Sequence, residues 1–464
     1  MKPRVTPASV IAVTSVYAVA GKLGLLLALE QANATAVWAP AGIALAAFLL
    51  LGYRIWPAIA LGAFLVNVTT AASAATSAGI AVGNTLEAAL GAYLVRTFAA
   101  GPRCFERPQN VLKFAVLAGA ISPALAATVG VTSLSLGGFS DWARYGSVWS
   151  TWWLGDMTGI LIAAPLLILW GTNPWVSWRR EYALEAALLG LALVLTGGAV
   201  FGALLPASAR SYAPDFMAVP PLVWAAFRFE QRETATAAFA LSGIALCGTL
   251  SGLGPFVRPT ASDSLLALQS FMGASTVMAL LFAAVVSVSR AAAAAPLLEE
   301  RLRFETLLSE LTAGLIHAPA SGIDSAIEAG LHDVVEFLAV DRGCVEKYLE
   351  GGFGTRIAWA PAGLEEPPRV TEADQFPWAS ERLRRGDVVR FSRIDELPAE
   401  AAVDRASYRR SGTRSKVSLP LRAGGRVLGA LSFGSVRRER AWPDELVSRL
   451  RLLSEAFAGA LERR

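Results

Sequence analysis

Long apolar runs broken by short polar joints fill the first 290 residues of the chain. Runs that approach the roughly 20 residues a helix needs to cross a bilayer fall at 9–29, 36–52, 55–72, 78–98, 111–135, 149–170, 183–204, 215–228, 234–252 and 265–289. The run at 215–228 is the weakest, being short and holding Pro220 and Pro221; if it and a neighbour are re-entrant or broken, ten spans become eight. After Arg290 the stretch AAAAAPLLEERLRFETLLSELTAGLI places Phe304, Leu307 and Leu311 three and four apart beside a charged face. That spacing predicts a helix continuing from the last span. It either pairs with a second copy as a short parallel coiled coil or packs on its own domain.

From about Ser321 the pattern alternates between helical and strand periods. IDSAIEAGLHDVVEFLAV predicts a helix, DRGCVEKYLE and FGTRIAWAPA strands, PWASERLRRG a short helix, VVRFSRI a strand and AAVDRASYRRSG a helix. VSLPLRA and RVLGALSFG flank Gly424 and Gly425, a hairpin signal, and a final helix follows with Leu446, Leu450, Leu453 and Phe457 in a heptad-like stripe. Strands that begin and end between helices predict an antiparallel sheet with helices packed on it. The expected fold is a polytopic α-helical membrane domain over 1–290, with ten spans preferred and eight possible. A helical linker over 291–320 then leads to a cytoplasmic α+β domain over 321–464.

Composition supports the division. The chain is 54% hydrophobic and 17% charged, with mean hydropathy +0.48, outside the range of an ordinary soluble domain. Only 16 of its 41 Lys/Arg and 11 of its 37 Asp/Glu lie in residues 1–296, so two regions suited to different solvents are joined. With the N-terminus inside, the outer loops hold only Arg144, Arg210 and Arg258, and the other Lys and Arg of the spans' joints are cytoplasmic, which places both ends in the cytoplasm. Positive charge distributed this way gives no nucleic-acid signal. The start MKPRVTPASV leads straight into a long apolar run, so a retained first helix is expected rather than a cleaved leader.

Candidate catalytic chemistry is absent from the sequence pattern. Cys104, Cys247 and Cys344 have neither metal-ligand nor disulfide spacing, and His317 and His332 stand beside no nucleophile. There is no phospho-acceptor helix, ATP-binding glycine box, GGDEF run or P-loop, and RAGGRVLG is a hairpin turn with no helix start behind it. No catalytic residue, cofactor or metal is assigned, and the chain is not read as an enzyme.

Polar side chains inside the apolar runs are few and therefore informative. A charged group at depth costs roughly 2.5–3.5 kcal/mol on insertion scales, so it faces a bundle interior and finds partners. Asp156 interrupts TWWLGDMTGILIAAPLLILW, and Asn84 and Glu87 are three apart on one helical face. Asn67, Lys22 and Gln269 fall in the same outer half of the membrane, with Trp38, Trp152 and Trp153 at similar or shallower depth. Two readings are open. One is an outward-facing ligand pocket lined by Glu87, Asp156, Asn67 and Asn84, with Trp38, Trp153 and Gln269 nearby and Lys22 as counter-ion. The other is an internal hydrogen-bonded network that holds helices together.

The runs VWAPAGIALAAFLLLGYRIWPAIALGAFLVN, GNTLEAALGAYLVRTF, WSTWWLGDMTGILIAAPLLILW and PPLVWAAFRFEQRE together resemble the MASE1 family, a membrane-associated sensor domain of bacterial histidine kinases and diguanylate cyclases. Trp38, Pro40, Asn67, Asn84, Glu87, Gly155, Asp156, Pro165, Trp224 and Arg228 fall on the positions that carry the family pattern. FLAVDRGCVEKY, RSKVSLPLRAGGRVLGALSFG and WPDELVSRLRLLSEAFAGAL are similar to a GAF domain. The NKFD-like motif of cyclic-nucleotide-binding members is missing, and Cys344 on the first strand has no His beside it, unlike the bilin-binding members.

These resemblances imply a signal input module of a two-component or cyclic-di-GMP system in a bacterial inner membrane. It would relay a small-molecule or membrane stimulus to the GAF domain and to an output kinase or cyclase outside this chain. The implied partners are membrane lipid, a second copy through the linker and C-terminal helices, and that output module. The alternative is a transporter or channel with a regulatory cytoplasmic domain, since buried carboxylates also mark ion paths. A third reading is a membrane anchor that only dimerises the GAF domain.

Overall fold

A helix forms in each of the ten apolar runs. The computed structural model describes residues 5–26, 37–70, 73–175, 180–205, 215–349, 352–361, 364, 370–372 and 374–463. The expected span ends at 27–29, 36 and 71–72, and Arg210 of the charge argument, lie outside the described residues. The helices are α1 (Pro7–Leu26), α2 (Ala39–Leu51), α3 (Trp56–Val68), α4 (Ala74–Phe98), α5 (Pro108–Phe114), α6 (Ser122–Leu136), α7 (Tyr145–Thr172), α8 (Arg180–Val200), α9 (Val219–Arg228), α10 (Gln231–Leu250) and α11 (Ala261–His317). A π-helical stretch, Ala115–Ile121, joins α5 to α6.

Seven of these helices, counting α5–α6 as one, are long and apolar enough to cross a membrane, and α2, α3 and α9 are shorter. At 1.5 Å per residue, the 13 residues of α2 or α3 reach about 20 Å against a hydrocarbon core of about 30 Å. The apolar pattern hides this because Gly52, at φ +88°, turns the chain between the two helices and Pro57 starts the second. The chain divides into two compact units, Met1–Ala293 and Ala294–Arg464, so α11 contributes residues to both; Pro296 lies inside it.

In the first unit α2 is buried almost throughout and packs on α7. Gly42 and Gly159 make this possible: a Cβ on either would overlap backbone of the facing segment, the Gly159 carbonyl in one case and the Trp38 carbonyl in the other. Small residues let the two backbones meet, as membrane helices do when lipid supplies no hydrophobic drive between them. The amide of Trp38 then donates to the Gly155 carbonyl at 3.0 Å, which fixes the start of α2 beside Asp156 on α7.

The second unit holds the end of α11, α12 (Ile323–Leu338), β1 (Arg342–Leu349), β2 (Gly352–Trp359), β3 (Val370–Glu372), α13 (Pro377–Arg384), β4 (Val389–Phe391), α14 (Ala402–Arg410), β5 (Ser415–Ala423), β6 (Arg426–Ser435) and α15 (Asp444–Glu462). The strands form one antiparallel sheet in the order β3-β2-β1-β6-β5-β4. The expected five strands gain a sixth, β3, which is three residues long and too short to show a period. Ala423 pairs with Arg426 across Gly424 (φ +55°) and Gly425 (φ +77°), the left-handed pair that a two-residue I′ hairpin requires.

The period-2 alternation of strands sorts the side chains. Val345, Val417, Leu419, Leu431 and Phe433 share one core with α12, α15 and the end of α11. Phe304, Leu307 and Leu311 of the linker helix, and Leu450, Leu453 and Phe457 of α15, belong to that core. The linker stripe thus packs on its own domain. Cys344, Glu346, Lys416 and Ser432 alternate with the core residues and line a cavity on the sheet's other face, together with Phe376 and Tyr408.

Candidate functional site

Along α4 the buried positions recur at three and four, through Ser77, Ile80, Ala81, Asn84, Glu87, Ala88 and Gly91, so this helix buries one face and carries an amide and a carboxyl on it. Asn84 is 4% exposed and Glu87 2%, and Asp156 on α7 is fully buried. From α1 comes Tyr17, also fully buried, whose hydroxyl accepts a hydrogen bond from Asn84 Nδ2 at 3.1 Å. The phenol stands within electrostatic reach of both carboxyls, and the indole of Trp38 faces it. Glu87 and Asp156 are within electrostatic reach of each other. Trp152 faces Asp156 without reaching hydrogen-bond geometry. Asn84 Oδ1, Glu87 Oε1 and both oxygens of Asp156 have no hydrogen-bond partner among the described residues.

Of the side chains named from the sequence, the structure thus gathers Glu87, Asp156, Asn84 and Trp38. Three of the others go elsewhere. Lys22, expected as counter-ion, donates instead to Thr70 Oγ1 at 2.8 Å; five residues beyond Tyr17, it leaves α1 on a different face. Asn67 donates to the Ala63 carbonyl of its own helix at 2.8 Å. The indole of Trp153 donates to the Ala120 carbonyl, in the π-helical stretch, at 2.7 Å. Gln269 is buried on α11. Tyr17 was missed by pattern, yet a phenol inside an apolar run is a signal, because a buried hydroxyl needs a partner.

The cavity of the second unit has a volume of about 70 Å³, well below the roughly 300–1,000 Å³ of drug-sized sites. Register explains its wall: Cys344 and Ser418 both pair with Ser432 across the sheet. Ser418 and Ser432 share a hydrogen bond of 2.8 Å, and Ser432 Oγ donates to Glu346 Oε2 at 3.2 Å. The Lys416 ammonium lies 5.9 Å from the Phe376 ring centre and 5.5 Å from that of Tyr408. Asp404 on α14 accepts from the amides of Trp378 (3.1 Å) and Ala379 (2.9 Å), capping α13 and holding the cavity's cover in place.

Burial opposes the charge on Lys416, but Tyr408, Glu346, Cys344 and Asp404 around it outweigh burial and hold its pKa above the ordinary lysine value. Burial pushes the Tyr408 phenol up to about 12. It also raises the Cys344 thiol, helped by Glu346, so this sulfur is a thiol rather than a reactive thiolate. Burial raises the Asp404 carboxyl against the pull of the two amides. His332 sits outside the cavity, edge-on to Trp359 with ring centres 4.7 Å apart, and His317 Nδ1 lies 2.8 Å from the Ala313 carbonyl at the end of α11. Among the described residues no three His, Cys, Asp or Glu side chains gather into one cluster.

Comparison with known proteins divides at the same place. The MASE1 family model matches residues 9–290, and the GAF domain model matches residues 323–461. No curated protein matches the chain. Among solved structures, the phycocyanobilin-bound GAF domain from a cyanobacterial phytochrome is 17% identical, covering 34% of this chain and 94% of that one, with a TM-score of 0.30. The GAF domain of an Acinetobacter phosphoenolpyruvate-protein phosphotransferase is 11% identical over 35% of this chain and 94% of that one, with a TM-score of 0.28. The likeness is confined to about a third of the chain, and the bilin belongs to the phytochrome. With its model matched over more than half the sequence, the chain belongs to the MASE1 family of membrane sensor domains, joined here to a GAF domain.

Proposed function

We propose that this protein is the input module of a bacterial signalling system, in which the cluster around Glu87 and Asp156 receives the stimulus. One observation carries the reading: four buried acceptor atoms of Asn84, Glu87 and Asp156 converge from α4 and α7 without partners. A network serving only to hold helices together would satisfy its acceptors, since nearly all buried polar atoms in proteins are bonded. A stimulus that binds two packings of α1, α4 and α7 unequally shifts the balance between them. α11, which gives residues to both units, is the element that would pass the shift to the GAF domain. A histidine kinase or cyclase supplied beyond Arg464 or by a partner would be the output, with both ends of this chain in the cytoplasm.

Because the apolar stripes of α11 and α15 are already buried in the second unit, a homodimer would use what they leave exposed, Leu302, Ile316 and Leu452. The unpartnered carboxyls also support the transporter reading, because ion paths use such groups. The test is to join the full chain to a histidine kinase output and follow phosphorylation in cells across changes of salt and medium. Loss of the response in Glu87→Gln and Asp156→Asn, with normal membrane expression, is expected. A response identical to that of the parent would overturn the proposal. Solute uptake by proteoliposomes would favour the transporter instead.

A further inference from the structure

We infer that Glu87, Asp156, Asn84 and Tyr17 form an all-oxygen site for a small hard metal cation inside the membrane unit. The inference rests on the proposal above for its signalling role, but not for the binding itself. Each carboxyl offers two oxygens and the amide and phenol one each, and oxygen-only sets select alkali and alkaline-earth ions over zinc, copper or nickel.

The two acids alone would not make a site; Asn84 does. Its Nδ2 is committed to the Tyr17 hydroxyl, so the amide is held in place and its Oδ1 is a fixed acceptor, 4% exposed as a residue and without a partner. The Tyr17 hydroxyl that holds this amide is also within electrostatic reach of both acids. The cluster therefore presents acceptors from α1, α4 and α7 and a shortage of donors.

Charge points the same way. Among the described residues no basic side chain stands out as an electrostatic partner of either carboxyl. Basic side chains of the same helices are engaged elsewhere: Lys22 of α1 on Thr70, and Arg96 of α4 on the carbonyls of Phe48 and Leu49. A proton would satisfy one acceptor at a time, whereas a metal ion contacts all of them at once. A divalent ion would balance both carboxylates; a sodium ion would balance one and leave the other to a proton.

The test uses the full chain in nanodiscs of neutral phosphatidylcholine, at constant ionic strength set with choline chloride. Sodium, potassium, magnesium and calcium are titrated separately while tryptophan fluorescence is read, because Trp38 and Trp152 flank the site. Saturable change and thermal stabilisation by at least one ion are expected. Affinity falls at least tenfold in Asp156→Asn and Glu87→Gln and less in Tyr17→Phe, the mildest variant, which covers the case where the acid variants do not fold. Glu233→Gln, a carboxyl paired with Arg232, leaves the titration unchanged. The inference is overturned if none of the four ions acts, if acidification alone produces the change and no metal ion competes with it, or if the variants bind like the parent. Ion binding that leaves kinase output unaltered would uphold the site and sink its sensory role; an intact output response without ion binding would sink the site alone.

Discussion

Asn84 and Tyr17, 67 residues apart in sequence, share the hydrogen bond that ties the first helix to the fourth. Tyr17→Phe deletes the acceptor and leaves the buried amide of Asn84 with neither polar atom bonded. Inside a membrane protein such a loss costs about 0.5–2 kcal/mol. Chemical unfolding in detergent should show this loss, and a double-mutant cycle with Asn84→Ala should show most of it as coupling. Additive single effects would mean the bond contributes nothing.

Gly159 faces the carbonyl of Trp38 with no room for a Cβ. Gly159→Val should therefore push α2 off α7, with an overpacking cost of at least about 1–3 kcal/mol. Gly146→Ala, where nothing lies within 4 Å, should have no effect. Yield of monodisperse protein after solubilisation and its thermal midpoint compare the two.

Alkaline pH should weaken the GAF unit. Burial raises Cys344 and Tyr408, and the acidic groups around Lys416, Tyr408 and Glu346 foremost, raise it against burial, so the folded unit keeps all three protons longer than the unfolded chain does. The unfolded chain releases them near about pH 8.5, 10 and 10.4. From there upward it binds fewer protons than the folded state, and unfolding free energy falls with pH by up to about 1.4 kcal/mol per pH unit for each group. Denaturant midpoints of residues 294–464 should drop from about pH 8.5 onward, and Cys344→Ala should delay the onset towards about pH 10. A midpoint unchanged up to pH 11 would contradict the assignment.

Asp404 caps α13 through two amides. Asp404→Ala should cost about 1–2 kcal/mol and speed hydrogen exchange at Trp378 and Ala379 while leaving the hairpin of β5 and β6 protected. Equal acceleration throughout the sheet would show that the cap holds the whole unit and not only the cavity's cover.

How far the sequence reveals this molecule depends on contrast. Asp156, Glu87 and Asn84 stand out because polar groups are rare in apolar runs, and they do come together. Tyr17 counts as apolar in any such pattern, so its bond to Asn84 becomes visible only once α1 meets α4. Lys22 has contrast too, yet its direction depends on helix rotation, and it ends on Thr70. The turn at Gly52 is hidden because hydropathy counts do not register backbone φ. In the GAF unit the strand alternation is legible, but it does not show that α13 and α14 cover the face that carries Lys416 and Cys344.

The proline in α11 has a mechanical consequence. Pro296 has no amide hydrogen to donate to the carbonyl four residues earlier, so the helix lacks one rung within three residues of the boundary between the units. A rod weakened at a single point bends there first. Tilt imposed on its upstream length is absorbed at the joint, whereas displacement along the axis is carried through. Under the proposed signalling role, a message travelling down α11 would be filtered in favour of a push or pull.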